Sequence, residues 1–174
     1  MDRQEFHNFF TENPIPIQNE DELYWLCEKI RERVKPLETI IEIGVSGGGT
    51  FKFWRDSIPV KGLLIGVDIQ DYHWNFPDKD REVYFVIGAS ENPETVDKVK
   101  KILNGKLADF LFIDGHHDWE NVYADYTNYS TLVRKGGAIG FHDCNTKWVE
   151  KLFESLQGEK EKIIISHGIG LFYV

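Results

Sequence analysis

The chain has 174 residues, enough for one domain with a sizeable core. Hydrophobic residues make up 41% and charged residues 28%, the balance of an ordinary soluble globular protein. The formal net charge is −9, from 29 acids against 20 Lys and Arg, which argues against non-specific nucleic-acid binding because that needs cations facing phosphates.

The opening MDRQEFHNFF has no long apolar run and no small-residue cleavage site, so neither a signal peptide nor a membrane span is expected. Cys27 and Cys144 are too few for a disulfide framework or a CxxC knuckle, and reduced thiols of a cytoplasmic protein, without catalytic duty, are expected. NPIPI at 13–17 separates a short N-terminal segment from the rest of the chain. Asn19 reads as a helix cap with Glu22 as its reciprocal capping-box partner. Leu23, Leu26, Cys27, Ile30 and Val34 then recur at helical spacing, and Pro36 lies beyond the stop.

From there the chain alternates. TIIEI (39–43) is a β-rich run, followed by a glycine loop and a helix over 50–57. GLLIGVD (62–68) and VYFVIG (83–88) are the second and third strands, with a polar and aromatic loop, and no convincing helix, between them. In that loop Tyr72, Trp74 and Phe76 either wall a ligand or pack over the sheet edge. Asn92-Pro93-Glu94 starts a helix with Val96, Val99 and Leu103 on its apolar face, and Asn104-Gly105 ends it. ADFLFID (108–114) is the fourth strand. Trp119, Val122, Tyr126, Tyr129 and Val133 step along one face of a helix expected over 118–134 and stopped by Gly136-Gly137. Asp125, within it, is expected to pair with a neighbour or face solvent. GAIGFHD (137–143) is the fifth strand, 146–157 a helix, and KIIIS (162–166) with IGLFYV (169–174) a hairpin turning at His167-Gly168.

Apolar strands alternating with amphipathic helices predict an α/β fold, a doubly wound, mostly parallel sheet. Ligands of such folds bind beyond the C-terminal strand ends. Those ends are Gly44, Asp68, Ala89-Ser90, Asp114 and His142-Asp143. EIGVSGGGT (42–50) places glycines where a backbone approaches a ligand at a helix start. Ser46 stands where a dinucleotide fingerprint would have its second glycine. Glu42, at the strand end, would repel a pyrophosphate but suits a ligand bearing an amino group and a sulfonium. Asp68 is placed to accept from ribose hydroxyls.

With these residues the chain resembles the class I S-adenosylmethionine-dependent methyltransferases, from about residue 38 onward. EIGVSGGGT is similar to their first motif, GVDI to their acidic ribose motif and GAS (88–90) to the loop beside the adenine. FIDGHHDWENVYADYTNYSTLVRKGGAIGFHD resembles the subgroup with IDG, a following His, and a terminal HD, which holds small-molecule and sugar O-methyltransferases and cephalosporin-hydroxylase-like proteins. The resemblance implies a Rossmann-like sheet of seven strands with a C-terminal antiparallel hairpin strand. It implies one methyltransferase-like domain over 1–174, with a helical segment 1–36 and a cofactor-binding core 37–174. It assigns Glu42, Gly44, Ser46 and Gly48 to the methionyl end of S-adenosylmethionine, Asp68 to the ribose, and Ala89 and Ser90 to the adenine, with Asp114 at the same site. Metal-dependent relatives use the positions of Asp114 and Asp143 for a divalent ion such as Mg²⁺. His142 departs from their acidic pattern and leaves the metal open.

The expected reaction is methyl transfer to a small-molecule or sugar hydroxyl. The acceptor would lie between the sulfonium methyl and His142, Asp114 and Asp143, with His142 or His117 taking the proton. His116 reads as a solvated loop residue. An S-adenosylmethionine- or nucleotide-binding module without transferase activity, a subunit of a larger assembly, is the alternative; Ser46, Glu42 and the closing hairpin disfavour an NAD-dependent oxidoreductase. Neither nucleic acid nor membrane is expected as a partner. If a further subunit completes the pocket, a homo-oligomer included, Phe6, Phe9 and Phe10 are the expected contact.

Overall fold

The computed structural model describes residues 2–12, 15–57, 62–74 and 82–174. Helix α1 (Arg3–Phe10) is started by Asp2, whose carboxylate accepts from the Glu5 N–H while Glu5 reaches back to the Asp2 N–H. Phe6, expected as an exposed contact, is instead fully buried, with its ring 5.0 Å from Tyr24 and 5.1 Å from Phe53. Helix α2 (Glu20–Arg33) is capped by Asn19, which accepts from the N–H groups of Asp21 and Glu22. Glu22 does not complete the expected capping box. Its buried carboxylate accepts from the backbone N–H groups of Ile165 (2.6 Å), Ser166 (2.7 Å) and Gly168 (3.0 Å), far along the chain.

The core then winds as β1 (Thr39–Ile43), α3 (Gly49–Ser57), β2 (Leu63–Asp68), β3 (Glu82–Ile87), α4 (Pro93–Leu103), β4 (Ala108–Ile113), α5 (Trp119–Tyr129), β5 (Val133–His142), α6 (Lys147–Ser155), β6 (Lys160–Ile163) and β7 (Ile169–Tyr173). Among the described residues, seven strands form one sheet in the order β3-β2-β1-β4-β5-β7-β6. All neighbours are parallel except β5–β7 and β6–β7. The expected α/β architecture is therefore present, hairpin included.

Alternation along the strands decides the two core layers. Ile41, Ile43, Ile65, Val67, Leu111 and Ile139 face α4, α5 and α6 through Val99, Val122 and Leu152. Ile40, Leu64, Phe110 and Phe112 face α1, α2 and α3 through Phe6, Leu26, Ile30 and Trp54. Because β1 and β4 are covered on both faces, their runs read as continuous apolar sequence.

Two boundaries differ from the sequence expectation. Helix α5 ends at Tyr129, a single 3₁₀ turn follows over 130–132, and Val133 opens β5 opposite Ala108. Val133 satisfies the helical period, but strand pairing claims it, and Gly136-Gly137 lies inside a strand that shifts register there rather than ending a helix. The C-terminal hairpin turns earlier: β6 stops at Ile163, and the N–H groups of residues 165 and 166 go to Glu22 instead of a partner strand. Between β2 and β3, the described residues 69–74 are not helical, and Phe76 lies outside the described residues.

The two central strands meet at the sheet's C-terminal edge. Gly44 has φ +85, and a Cβ there would stand 2.0 Å from the carbonyl oxygen of Asp114. Only glycine lets the first loop cross the end of β4 so closely.

Candidate active site

A cleft of about 390 Å³ opens along that edge, lined by Gly44, Ser46, Asp68, Ala89, Ser90 and Asp114 among others. Asp68 organises it. One carboxylate oxygen accepts from the Ser46 N–H at 2.8 Å and the other from the Gln70 N–H at 2.9 Å. Ser46 itself is left-handed, with φ 48. Trp74 closes this flank by donating its indole N–H to the Ser46 carbonyl at 2.9 Å and stacking on Phe85 with ring centroids 4.6 Å apart. Of the two roles open for the aromatic loop, edge packing is therefore present at Trp74.

Two of the expected ligand residues stand back from the lining. Gly48 is buried in the turn, its N–H on the Val45 carbonyl. Glu42 is 1% exposed. Burial first, and then the Asp114 charge, push its pKa well above the usual carboxylate range, against the influence of Trp54.

Beside the cleft, at the ends of β4 and β5, four titratable groups converge. The buried His142 ring places Nδ1 2.8 Å from an Asp114 oxygen and 2.9 Å from an Asp143 oxygen. His117 places Nε2 2.8 Å from the same Asp143 oxygen. Burial opposes a charge on His142, but the bonds to Asp114 and Asp143 outweigh it and push its pKa up to about 10. Its ring is thus an imidazolium at neutral pH, held between two carboxylates. Burial likewise opposes charge on Asp143, yet His117 and His142 hold its carboxyl well below the usual range. Asp114 is raised, because burial exceeds the pull of His142. The bond to Asp143 raises His117. Asp143 adopts φ 57, a left-handed conformation that Asp tolerates better than most residues, and this turns its carboxylate back toward the cluster.

The sequence reading missed Gln18. It is 4% exposed, donates its amide to the Asp114 oxygen not facing His142, and accepts from the Thr50 hydroxyl. The stretch before α2 thereby straps across the start of α3, where the Ile15 carbonyl lies 2.3 Å from the point a Gly49 Cβ would occupy. No periodicity announces such a residue; the one signal was an irregular Pro-containing segment with an amide at its end. Asp125 also departs from expectation. It is 1% exposed, and neither oxygen has a hydrogen-bond partner among the described residues. Burial raises its pKa to about 6.

Residues 41–144, more than half of the chain, match the family profile described as "Methyltransferase domain". The chain belongs to this methyltransferase domain family. The match begins within β1 and ends just past Asp143, so it takes in the cleft and the cluster together. The methyltransferase domain is 30% identical over 132 residues to "Probable caffeoyl-CoA O-methyltransferase 3" of Dictyostelium discoideum, covering 71% of this chain and 49% of that protein. The chain thus spans about half the length of that curated relative. Its fold is shared with the MycE methyltransferase of the mycinamycin biosynthetic pathway, solved with Mg, SAH and mycinamycin VI: TM-score 0.70, 17% identity, covering 97% of this chain and 53% of that one. It is shared as well with the calicheamicin methyltransferase CalS11: TM-score 0.64, 15% identity, covering 98% and 90%. Among the described residues of this methyltransferase domain, no helix is long and apolar enough to cross a membrane.

Proposed function

We propose that the chain transfers a methyl group from S-adenosylmethionine to a hydroxyl of a small molecule or sugar. One observation carries the reading: Asp114 lines the ligand cleft and is also hydrogen-bonded into the His142–Asp143–His117 cluster. A methyl donor lying in the cleft would therefore end beside groups able to orient and deprotonate an acceptor. The family match, the caffeoyl-CoA name of the curated relative and the ligands of MycE support the same reading.

In this assignment Asp68 accepts from the ribose hydroxyls, and Ala89 and Ser90 border the adenine. Gly44, Ser46 and Gly48 shape the backbone around the methionyl end, and Glu42 supports it from beneath. Near an amino group and a sulfonium, the carboxyl of Asp114 supplies the negative side of the site. His117 is half-exposed and its Nε2 is committed to Asp143, so Nδ1 is the atom that takes the acceptor proton while Asp143 stabilises the resulting imidazolium. His142, already charged, holds Asp114 and Asp143 in place. Its Nε2 is buried, without a hydrogen-bond partner among the described residues.

The donor set also fits a divalent cation, since ligand atoms of Asp114, His117 and Asp143 lie within 4.8 Å of one another. Asp114 and Asp143 are the oxygen ligands suited to Mg²⁺, and a bound ion would lower the pKa of the acceptor hydroxyl.

Calorimetry with S-adenosylhomocysteine tests the cofactor assignment. The wild-type chain should bind it, and Asp68→Ala should weaken binding by about tenfold or more, the worth of hydrogen bonds to a charged group. Equal affinity in the variant, or binding of NAD in place of the homocysteine ligand, would overturn it.

A further inference from the structure

Helix α5 buries a polar stripe. Asn121, Asp125 and Tyr129 follow at four-residue spacing and so share one face. Asn121 lines the cleft. Tyr129 donates its hydroxyl to the backbone carbonyl of Ser90 at 3.1 Å. Asp125 lies between them, almost wholly buried, with neither carboxylate oxygen hydrogen-bonded among the described residues. One of those oxygens stands 3.1 Å from where a Cβ on Gly115 would be, and Ser90 and Gly115 both line the cleft.

A buried carboxylate without a partner is costly, and an apolar residue would fill the same space without that penalty. Burial above all opposes its charged form, and Glu91 and Asp118 add to that; the Ser90 side chain is the foremost neighbour that favours it, with His116 after it. The carboxylate is thus placed behind the cleft wall, with one cleft-lining hydroxyl as its natural donor.

We propose that Asp125 is a positioning residue that takes the proton of the Ser90 hydroxyl, so that the site selects a purine bearing a 6-amino group over its 6-oxo counterpart. This rests on the S-adenosylmethionine reading. A hydroxyl has a single proton. With that proton turned to Asp125, the Ser90 oxygen presents only lone pairs to the cleft. A 6-amino group donates to them; a 6-oxo group meets them acceptor to acceptor. Sites built around a fixed polar group discriminate strongly, because the wrong ligand leaves that group unpaired.

The test is calorimetry on the whole chain with S-adenosylhomocysteine and its deaminated analogue, S-inosylhomocysteine. Wild type should favour the adenosyl ligand by at least about tenfold, the worth of one such hydrogen bond. Asp125→Ala and Ser90→Ala should bring the two affinities to within about twofold of each other, the bond's contribution having gone. Asp125→Asn, whose amide oxygen still accepts the Ser90 proton, should restore part of the preference. Asp68→Ala should weaken both ligands alike and leave the ratio unchanged. A wild-type preference kept in Asp125→Ala and Ser90→Ala, or no wild-type preference at all, would overturn the role of Asp125 and leave the cofactor reading standing. Failure of wild type to bind either ligand would overturn both.

Discussion

At Asp114 the two carboxylate oxygens have different neighbours, a charged imidazole on one side and the neutral amide of Gln18 on the other. Gln18 therefore sets which way the carboxylate turns between cleft and cluster. Replacing it in Gln18→Leu should lower methyl-transfer turnover by about tenfold, the equivalent of one hydrogen bond to a charged group. The dissociation constant for S-adenosylhomocysteine should change little. Steady-state kinetics beside calorimetry checks this, and an equal loss in both would assign Gln18 to cofactor binding instead. The acids and histidines of the cluster were legible because each stands where an apolar run stops. Gln18 was not, because its importance comes from a contact across 96 residues of sequence. Nor was Asp125, because an acid within a helical run reads as paired with a neighbour or facing solvent, and its burial comes from tertiary packing.

Asp125 also has a stability signature. Its folded pKa of about 6 lies above the value near 4 of an unfolded aspartate, so the folded state binds the proton more tightly. Stability it contributes when protonated is lost as pH rises from about 4 through 6. Asp125→Asn cannot ionise, so its unfolding free energy relative to wild type should increase across that window and then level off, by on the order of 3 kcal/mol. Urea unfolding at pH 4, 5, 6 and 7 reads the difference, and a difference independent of pH would contradict the burial argument. Retaining a carboxylate at this cost fits a residue kept for the ligand it serves.

Among elements, the loop between β6 and β7 shows how tertiary contacts overrule local pattern. Residues 162–166 have a strand's composition, yet Ile164 and Ile165 are 48% and 56% exposed and the backbone beyond β6 turns its N–H groups to Glu22. The same carboxylate that looked like a capping-box partner of Asn19 is thereby the anchor of this loop. His167, within the loop, brings its ring to 5.7 Å from that of His142. Removing the anchor in Glu22→Ala should cost about 2–4 kcal/mol, because two part-buried hydrogen bonds, from Ile165 and Ser166, and the buried one from Gly168 lose their acceptor together. Hydrogen exchange at residues 165, 166 and 168 should accelerate ahead of the sheet. A loss under 0.5 kcal/mol, the scale of an ordinary surface change, would contradict the anchoring role. Helix α5 teaches the converse: Val133 fitted the helical period, but pairing with Ala108 was worth more than a fourth turn. The core strands needed no such correction, since runs buried on both faces carry their signal in composition alone.

For the molecule as a whole, strand order puts Gly44, Ser46, Asp68, Ala89, Ser90 and Asp114 on one edge. The first loop, the end of β2, the loop after β3 and the end of β4 are brought together by three parallel neighbours, although they span residues 44 to 114. A ligand touching all of them binds the folded chain alone. S-adenosylhomocysteine at a hundred times its dissociation constant should therefore stabilise the chain by about 2.7 kcal/mol. A thermal shift should follow, and in Asp68→Ala, with its tenfold weaker binding, it should fall to about half at the same ligand concentration. The acceptor's identity is not legible from sequence in this way, because its surroundings come from the strap, the loops and side chains with no repeating pattern.

The central claim is that cleft and cluster form a single methyl-transfer site, and Asp143 belongs to the cluster alone. The most direct measurement is transfer of labelled methyl from S-adenosylmethionine to catechol and sugar hydroxyls by wild type and by Asp143→Ala, with cofactor affinity measured in parallel. Labelled product from wild type, reduced about a hundredfold or more in the variant at unchanged cofactor affinity, is the predicted result. Undiminished transfer by Asp143→Ala would contradict it.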